Sequence, residues 1–285
     1  MKSIPAPYPA AERATLGRMT TVAAAQVRVD DTESVADRVD RVTAWVRAEA
    51  RQQNSIDMIV LPELWSVGAF SLDQILSHAE PIGGPFTERM SQLAAYLGVV
   101  LHAGSFPEAH TGGVSNTSVV FGPDGALMAS YRKIHLFGFD TGEAVSLSAG
   151  RQPTVVDTPL GVTGLTTCYD LRFPELYREL VDLGAHAYVV PAGWPQARMS
   201  HWRVLAHARA VENQAVVVAC NAVGVTGGVA MGGGSVIVSA DGRTLAEATA
   251  HEEQFLTATL EPAETERWRA GFPALRDRRG VAGPR

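Results

Sequence analysis

Short apolar runs alternate with amphipathic helical patterns along the chain, and this alternation restricts the fold more than any other feature. Runs of about four to eight β-branched or apolar residues are typical of buried strands. The chain begins this pattern with a run at 20–26, a helical pattern whose apolar stripe includes Val35 and Val46, and a second run at 58–61. The cap of the helix is predicted within 30–32. A strand, a helix and a strand in this order favour a right-handed crossover and parallel pairing, so the predicted class is α/β.

The remaining elements are predicted from the same periodicities and from turn residues. We expect strands at 99–106, 115–121, 127–132, 162–167, 187–190, 215–221, 235–239 and 255–260, and helices at 86–97, 174–178, 201–213 and 262–269. The glycines from Gly224 to Gly234 are expected to form a loop, because no phosphate-binding pattern accompanies them. On the helix at 201–213, the side predicted to face the core carries Val204, Leu205, Ala208 and Val211.

The domain organisation is predicted from the absence of a linker. No proline- or serine-rich segment divides the chain, so we expect one α/β domain, at 20–262, with helices over the outer faces of two sheets. Residues 1–19 contain three prolines and are expected to be a loose extension, in which Met19 is an alternative start of translation that intact mass would test. Residues 263–285 are expected to form a C-terminal helix and tail.

Composition excludes several classes of function. The net charge is −6, whereas nucleic-acid binding needs a basic face, so we expect no nucleic-acid partner. The first residues have no apolar core, which indicates neither a signal peptide nor a membrane anchor, and we expect no membrane partner. Two cysteines in 285 residues are typical of a reducing compartment, so the predicted location is the cytoplasm.

Three polar side chains follow predicted strands and suggest chemistry. Glu63, Lys133 and Cys168 each come directly after an apolar run, and parallel strands of one sheet would bring them to a common edge. A thiol needs a proton acceptor before it attacks a carbonyl, and an ammonium stabilises the resulting negative charge. Each residue also has an ordinary explanation: a buried packing thiol, a helix N-terminus for Glu63, and a solvated strand end for Lys133. However, the chain has only one other lysine, Lys2.

Three segments resemble the signature blocks of the nitrilase, or carbon–nitrogen hydrolase, superfamily. They are Leu61-Pro-Glu-Leu-Trp, Tyr131-Arg-Lys-Ile-His-Leu-Phe and Cys168-Tyr-Asp-Leu-Arg-Phe-Pro-Glu-Leu, in the family's order. The likeness extends from about 20 to 260. It implies a single-domain, four-layer α-β-β-α sandwich with two mixed sheets. It also implies a catalytic triad of Glu63, Lys133 and Cys168.

The resemblance implies further roles at the site. Glu143 precedes the segment Leu147-Ser-Ala-Gly, which matches a second glutamate of the family, although Ala149 stands where many relatives have proline. Glu143 would orient Lys133 and the substrate amide. The backbone N–H of Tyr169 would help Lys133 to bind the oxyanion. The family's chemistry needs neither a metal nor a cofactor.

The residues after the nucleophile favour one branch of the superfamily. Cys168-Tyr-Asp-Leu-Arg resembles the amidase branch that includes ω-amidases and deaminated glutathione amidases, whereas nitrile-cleaving members usually have Cys-Trp-Glu. The predicted function is hydrolysis of a small carboxamide to a carboxylic acid and ammonia through a cysteine thioester. The alternative is an N-carbamoyl compound or a nitrile as substrate. A non-enzymatic scaffold would be expected to lack members of the triad.

The substrate pocket is predicted from the loops of this fold. They are 65–70, 137–143 and 194–199, with Trp194 as a substrate-binding residue. Arg172 and Arg198 are candidates to bind a substrate carboxylate, although Arg172 has the alternative of pairing with Asp170 or Glu175. Relatives commonly form dimers, so the resemblance also implies a homodimer.

Overall fold

The computed structural model describes residues 19–53, 55–138 and 140–279. The extension expected at the N-terminus and the end of the tail therefore lie outside the described residues, apart from Met19. The strands are β1 (Thr20–Gln26), β2 (Arg28–Asp30), β3 (Met58–Val60), β4 (Val100–His110), β5 (Gly113–Phe121), β6 (Leu127–Arg132), β7 (Thr154–Thr158), β8 (Gly161–Leu165), β9 (Ala187–Ala192), β10 (Val216–Asn221), β11 (Val223–Thr226), β12 (Val229–Gly232), β13 (Val236–Val238), β14 (Thr244–Glu247) and β15 (Gln254–Leu260). The helices are α1 (Val35–Gln52), α2 (Leu72–Ser77), α3 (Pro85–Leu97), α4 (Glu143–Ser146), α5 (Pro174–Asp182), α6 (Met199–Asn213) and α7 (Ala263–Gly271).

The strands form two six-stranded sheets and a small three-stranded one. The first sheet has the order β15-β1-β3-β4-β5-β6, and the second has the order β14-β13-β10-β9-β8-β7. Both are mixed, because the central strands are parallel and the outer strands antiparallel. The parallel pairing of the first two predicted strands is confirmed, with Val22 opposite Met58.

Alternating side chains make each sheet one layer of a four-layer sandwich. In β1, Val22 and Ala24 pack against the second sheet, whereas Ala23 and Ala25 pack against the helices α1 and α3. The helices α5 and α6 cover the outer face of the second sheet. The layers are therefore α-β-β-α in a single domain, as the resemblance implied.

The prediction for α6 is wrong about which face is buried. Val204 is 68% exposed and Val211 is 55% exposed, whereas Trp202, Ala206 and Ala210 are fully buried. Alanines let the helix approach the sheet closely, and Trp202 is the large apolar side chain buried on this face. A prediction of the buried face that considers only the branched apolar residues therefore selects the exposed face of the helix.

Two local predictions are also corrected. The side chain that caps α1 is Ser34, whose oxygen accepts a hydrogen bond from the backbone N–H of Asp37, and Asp30 instead belongs to β2. The segment expected as a glycine loop contains the hairpin of β11 and β12, and β11 pairs with β2. Gly224 permits this pairing because a Cβ at that position would lie 2.2 Å from the carbonyl oxygen of Val29.

None of the helices in the described part of the chain combines the length and the apolar character that crossing a membrane requires. The predicted division of the chain at residue 262 stays a prediction.

Candidate active site

The strands bring the candidate residues together from two sheets, not from one. Glu63 follows β3, and Lys133 follows β6, which runs in the same direction within the first sheet because two antiparallel pairings separate it from β4. Cys168 follows β8, in the second sheet. The expectation of a single sheet edge is therefore wrong. The apolar runs indicate where strands end, but they do not indicate which strands share a sheet.

Lys133 lies between two carboxylates. Its Nζ is 2.7 Å from Glu63 Oε1 and 2.7 Å from Glu143 Oε2. Glu63 is close enough to Cys168 to raise the pKa of its thiol, and all four side chains line one pocket. The structure therefore brings together the thiol, the ammonium and both glutamates that the sequence singled out.

Backbone and side-chain donors fix the two carboxylates. The N–H of Gly193 donates to Glu63 Oε2 at 2.8 Å, and the N–H of Phe137 donates to Glu143 Oε2 at 3.0 Å. Asn116 in β5 donates to both glutamates. Sequence reasoning missed Gly193 and Asn116. For Asn116 a signal was present, because asparagine is depleted in the interior of strands.

Burial governs the protonation of the site. Burial raises the pKa of Cys168 well above its ordinary value, and the negative charge of Glu63 raises it further, while Lys133 opposes both effects. The site therefore holds a neutral thiol that needs a proton acceptor. Desolvation alone would lower the pKa of Lys133, but Glu143 and Glu63 more than offset it, so the side chain is an ammonium. Burial raises the pKa of Glu143, against the effect of Lys133.

The connection that carries the thiol is held in an unusual conformation. Cys168 has φ 47°, in the left-handed region, at the start of a 3-10 helix that spans Cys168–Arg172. Thr167 and Asp170 form a capping box at its N-terminus. Asp170 also accepts a hydrogen bond from Tyr131 Oη at 2.7 Å. Positive φ at a residue other than glycine is uncommon and clusters at functional sites, where the surrounding contacts maintain it.

The pocket has a volume of about 340 Å³, and all three predicted loops contribute to its lining. Tyr169, Arg172, Trp194 and Arg198 are among the lining residues. The guanidinium of Arg172 lies 4.8 Å from the ring centroid of Trp194.

The predicted alternative for Arg172, an ion pair with Asp170 or Glu175, is not present among the described residues. Asp170 binds Tyr131, His135 and the N–H of Thr167. The nitrogens of Arg172 lie 3.3 Å from Nδ1 of His201 instead. The guanidinium of Arg198 lies 5.3 Å from the ring centroid of Phe137. Both cations thus stand over aromatic faces in the pocket wall.

Within the described residues, no group of three or more histidine, cysteine, aspartate or glutamate side chains could hold a metal ion.

A sandwich of two mixed sheets, with a thiol beside an ammonium and two carboxylates, defines a class of cysteine-dependent hydrolases that act on carbon–nitrogen bonds. The carbon–nitrogen hydrolase family profile matches residues 21–270. The chain belongs to the carbon–nitrogen hydrolase family.

Curated relatives place the chain near amidases. It is 44% identical over 266 residues to the 2-oxoglutaramate amidase of Paenarthrobacter nicotinovorans, which covers 90% of this chain and 89% of the relative. It is 32% identical over 269 residues to the omega-amidase NIT2 of Homo sapiens, which covers 92% of this chain and 96% of the relative.

Solved structures agree with the fold. Nit3 of Saccharomyces cerevisiae, a member of the nitrilase superfamily, superposes with a TM-score of 0.84 at 30% identity over 93% of this chain and 98% of that one. A mutant of the amidase from Nesterenkonia sp. AN1 superposes with a TM-score of 0.76 at 26% identity over 93% and 95% of the two chains. That structure has an acetamide moiety added covalently at the active-site cysteine. The prediction of an amidase, a hydrolase of carbon–nitrogen bonds other than peptide bonds, is confirmed.

Proposed function

We propose that this amidase is an ω-amidase, whose substrate is a small molecule with an amide at one end and a carboxylate at the other, such as 2-oxoglutaramate. One observation carries the proposal. Arg172 and Arg198 line the same pocket as the reactive thiol, and neither has an ion-pair partner among the described residues. Guanidinium groups bind carboxylates with paired hydrogen bonds, so these two can hold the end of the substrate that does not react.

The proposed reaction begins when Glu63 takes the proton of Cys168 as the thiolate attacks the amide carbon. The oxyanion is stabilised by Lys133 and by the backbone N–H of Tyr169, and each such donor is typically worth about 3 kcal/mol. Glu63 donates this proton to the nitrogen of the substrate, and the carbon–nitrogen bond breaks. Ammonia departs, and the acyl group remains bound to Cys168 as a thioester. Glu63 then activates water, which hydrolyses the thioester to the carboxylic acid and regenerates the thiol.

The role proposed for Glu143 is to position Lys133. Its contact with Nζ supports this role, and Lys133 already has Glu63 as a second carboxylate neighbour. Two anions beside one ammonium keep the lysine charged and restrict its direction. Trp194 is proposed to form the apolar wall along which the substrate chain lies, since its ring is buried beside Arg172.

The test of the substrate is an ammonia-release assay with three amides, an N-carbamoyl compound and a nitrile in parallel. We expect 2-oxoglutaramate and the monoamide of succinic acid to be hydrolysed faster than a neutral amide of the same length. An N-carbamoyl amino acid and a nitrile test the rival substrates, and faster turnover of either would overturn the proposal. Cys168→Ala should fold and release no ammonia.

The test of the two arginines uses matched variants. Arg172→Met and Arg198→Met should each lower kcat/KM for the acidic amide by roughly 10- to 100-fold, since a charged hydrogen bond contributes about 1.5–3 kcal/mol. The neutral amide should be unaffected. Arg203→Met is the control, because Arg203 of α6 pairs with Glu247 of β14 and does not line the pocket. Equal losses on both amides would contradict carboxylate binding.

Two further proposals concern the protein as a whole. A homodimer is supported by Val204 and Val211, which are 68% and 55% exposed on α6. Light scattering after size exclusion tests it: a monomer at micromolar concentration would contradict it, and Val204→Glu should separate a dimer. A cytoplasmic location is supported by Cys168 and Cys220, which are both free thiols.

A further inference from the structure

Asn116 is a buried polar residue that connects the two carboxylates of the site. It is 0% exposed. Its Nδ2 donates one hydrogen bond to Glu63 Oε1 at 2.8 Å and another to Glu143 Oε1 at 2.6 Å. A single amide group therefore uses both of its hydrogens on the two acids.

These contacts close a ring with Lys133. Nζ of Lys133 donates to the same two glutamates, so each acid is held by the lysine and by the asparagine. The backbone adds a further constraint, because the N–H of Lys133 donates to the carbonyl oxygen of Asn116 at 2.9 Å. Two of the three Nζ hydrogens are thereby committed to the glutamates, which leaves one for the substrate oxygen.

The orientation of this amide has a cost. Oδ1 of Asn116 is buried and has no hydrogen-bond partner. An unsatisfied buried acceptor is unfavourable, and rotating the amide would relieve it only by turning a carbonyl oxygen toward a carboxylate. The two acids therefore impose the orientation of the side chain.

We infer that Asn116 is a positioning residue for the reaction, which holds Glu63 and Glu143 on either side of Lys133 by donating a hydrogen bond to each. The inference rests on the proposed roles of Glu63, Lys133 and Cys168, but it does not depend on which amide is the substrate. Hydrogen bonds to a carboxylate favour its ionised form, which is the form that can accept the thiol proton. Loss of Asn116 should therefore impair proton transfer more than substrate binding.

The experiment compares two buried asparagines. Asn116→Leu keeps the approximate volume and removes both donors. Asn213→Leu is the control, because Asn213 is also 0% exposed, donates to the carbonyl oxygen of Arg209, has an unpartnered Oδ1 and lies outside the pocket. The measurements are kcat and KM against pH for the best amide, the melting temperature, and the rate at which iodoacetamide alkylates Cys168, read by peptide mass.

We expect Asn116→Leu to lower kcat by roughly 100-fold or more, with KM within about threefold, as removal of proton-transfer assistance does. The acid limbs of kcat/KM and of alkylation should both move to higher pH. Asn213→Leu should lower the melting temperature and leave both pH profiles unchanged. The inference is overturned if Asn116→Leu has the wild-type pH profiles, whatever its loss of activity or stability, because that result describes a purely structural residue.

A second variant covers the case in which Asn116→Leu does not fold. Asn116→Asp retains the shape of the side chain and replaces the donor by a third acid. It should show the same slow alkylation and low kcat, and wild-type values would overturn the inference. Alkylation needs no substrate, so a wild-type enzyme that hydrolyses no ω-amide but shows the shifted profile in the variant would refute the proposed substrate and support the role of Asn116.

Discussion

The buried cation at position 133 shows how far a single residue determines the site. Lys133 is 1% exposed and contacts two carboxylates at 2.7 Å. An ammonium is compact and can direct three hydrogens independently, whereas a guanidinium is wide, planar and fixed in its geometry. The pocket therefore needs a lysine for shape as well as for charge.

Lys133→Arg should lower kcat by roughly 10²- to 10³-fold, the range observed when one oxyanion donor is lost. It should also lower the melting temperature, because the larger group overpacks a filled space. Arg132→Lys is the control: Arg132 is the preceding residue, and its side chain is 43% exposed beside Glu108. Steady-state kinetics and thermal unfolding measure both effects. Near-normal kcat in Lys133→Arg would show that charge alone is sufficient.

His102 is a buried residue outside the proposed chemistry. Its Nδ1 accepts a hydrogen bond from the N–H of Gly104, and its Nε2 is buried without a partner. Burial lowers the pKa of His102 from its ordinary value of 6.5 to about 3. The unfolded chain therefore binds a proton to this side chain at a higher pH than the folded chain does. When the pH is lowered between these two pKa values, the unfolded state is stabilised relative to the folded state, by at most about 1.4 kcal/mol per pH unit.

His102→Asn should reduce this acid sensitivity. The asparagine can still accept from Gly104 but does not titrate. We expect a loss of about 1–2 kcal/mol in the free energy of unfolding at pH 7, because the smaller side chain leaves a space. The free energy should then fall less steeply than that of the wild type from pH 6.5 to 4, as measured by urea unfolding at several pH values. His251→Asn, at an exposed position, should retain the wild-type slope. Parallel pH curves for His102→Asn and wild type would contradict this account.

At the scale of the element, the strand bulge in β4 determines where Glu63 lies. The register of β4 shifts between His102 and Ser105, and Ser105 Oγ accepts a hydrogen bond from the N–H of Leu64. Gly104, within the bulge, has φ +72°, and a Cβ there would lie 1.9 Å from the carbonyl oxygen of Pro62. The carbonyl group of Pro62, next to Glu63, therefore packs so closely against Gly104 that no side chain fits between them.

Gly104→Ala should displace the turn and lower kcat by roughly 100-fold, the effect expected of a misplacement of about 1 Å at a reacting group. Gly98→Ala provides the comparison, because Gly98 ends α3 with φ +66° and has nothing within 4 Å of a built Cβ. Both variants should lose about 1–2 kcal/mol of stability from left-handed backbone strain, and Gly104→Ala should lose more because its Cβ meets the carbonyl oxygen of Pro62. Only Gly104→Ala should lose activity, and equal kcat values for the two would show that the bulge does not position the acid.

Elements that depend on local pattern could be predicted from the sequence, whereas those that depend on pairing could not. The strand β1 and the helix α3 follow from a β-branched run and from a proline at the first helical turn. The buried face of α6 could not be found, because small alanines pack against the sheet while Val204 faces outward. The pairing of β11 with β2 depends on a close backbone contact that residue type alone does not specify.

The same distinction applies to the site. Glu63, Lys133 and Cys168 were singled out because each follows an apolar run, and their meeting in one pocket agrees with that choice. That Cys168 comes from the opposite sheet could not be predicted, because the order of strands in a sheet is set by long-range packing. Asn116 was missed for a similar reason: its partners are 53 and 27 residues away in sequence.

At the scale of the whole molecule, the pocket depends on how the two sheets face each other. Two buried hydrogen bonds join the first sheet to the segment that carries Cys168. Ser118 Oγ lies 3.0 Å from Thr167 Oγ1, and Tyr131 Oη donates to Asp170 Oδ2 at 2.7 Å. Ser118 and Tyr131 are opposite each other in neighbouring strands, so the two contacts act side by side. The relative position of thiol and base is therefore maintained by contacts between the sheets, in addition to their apolar packing.

Tyr131→Phe should lower both stability and activity. It removes a donor to a buried carboxylate, for which we expect a loss of about 1.5–3 kcal/mol in the free energy of unfolding. It should also lower kcat by roughly tenfold, because the segment that carries Cys168 loses one connection to the sheet that carries Glu63. Tyr188→Phe is the matched variant: Tyr188 is also buried, but its hydroxyl donates to the carbonyl oxygen of Tyr177 within the second sheet and its helix layer. It should lose about 1 kcal/mol and keep kcat within about twofold. Urea unfolding and single-turnover acylation measure the two quantities, and equal acylation rates in the two variants would show that the contact between Tyr131 and Asp170 contributes to stability alone.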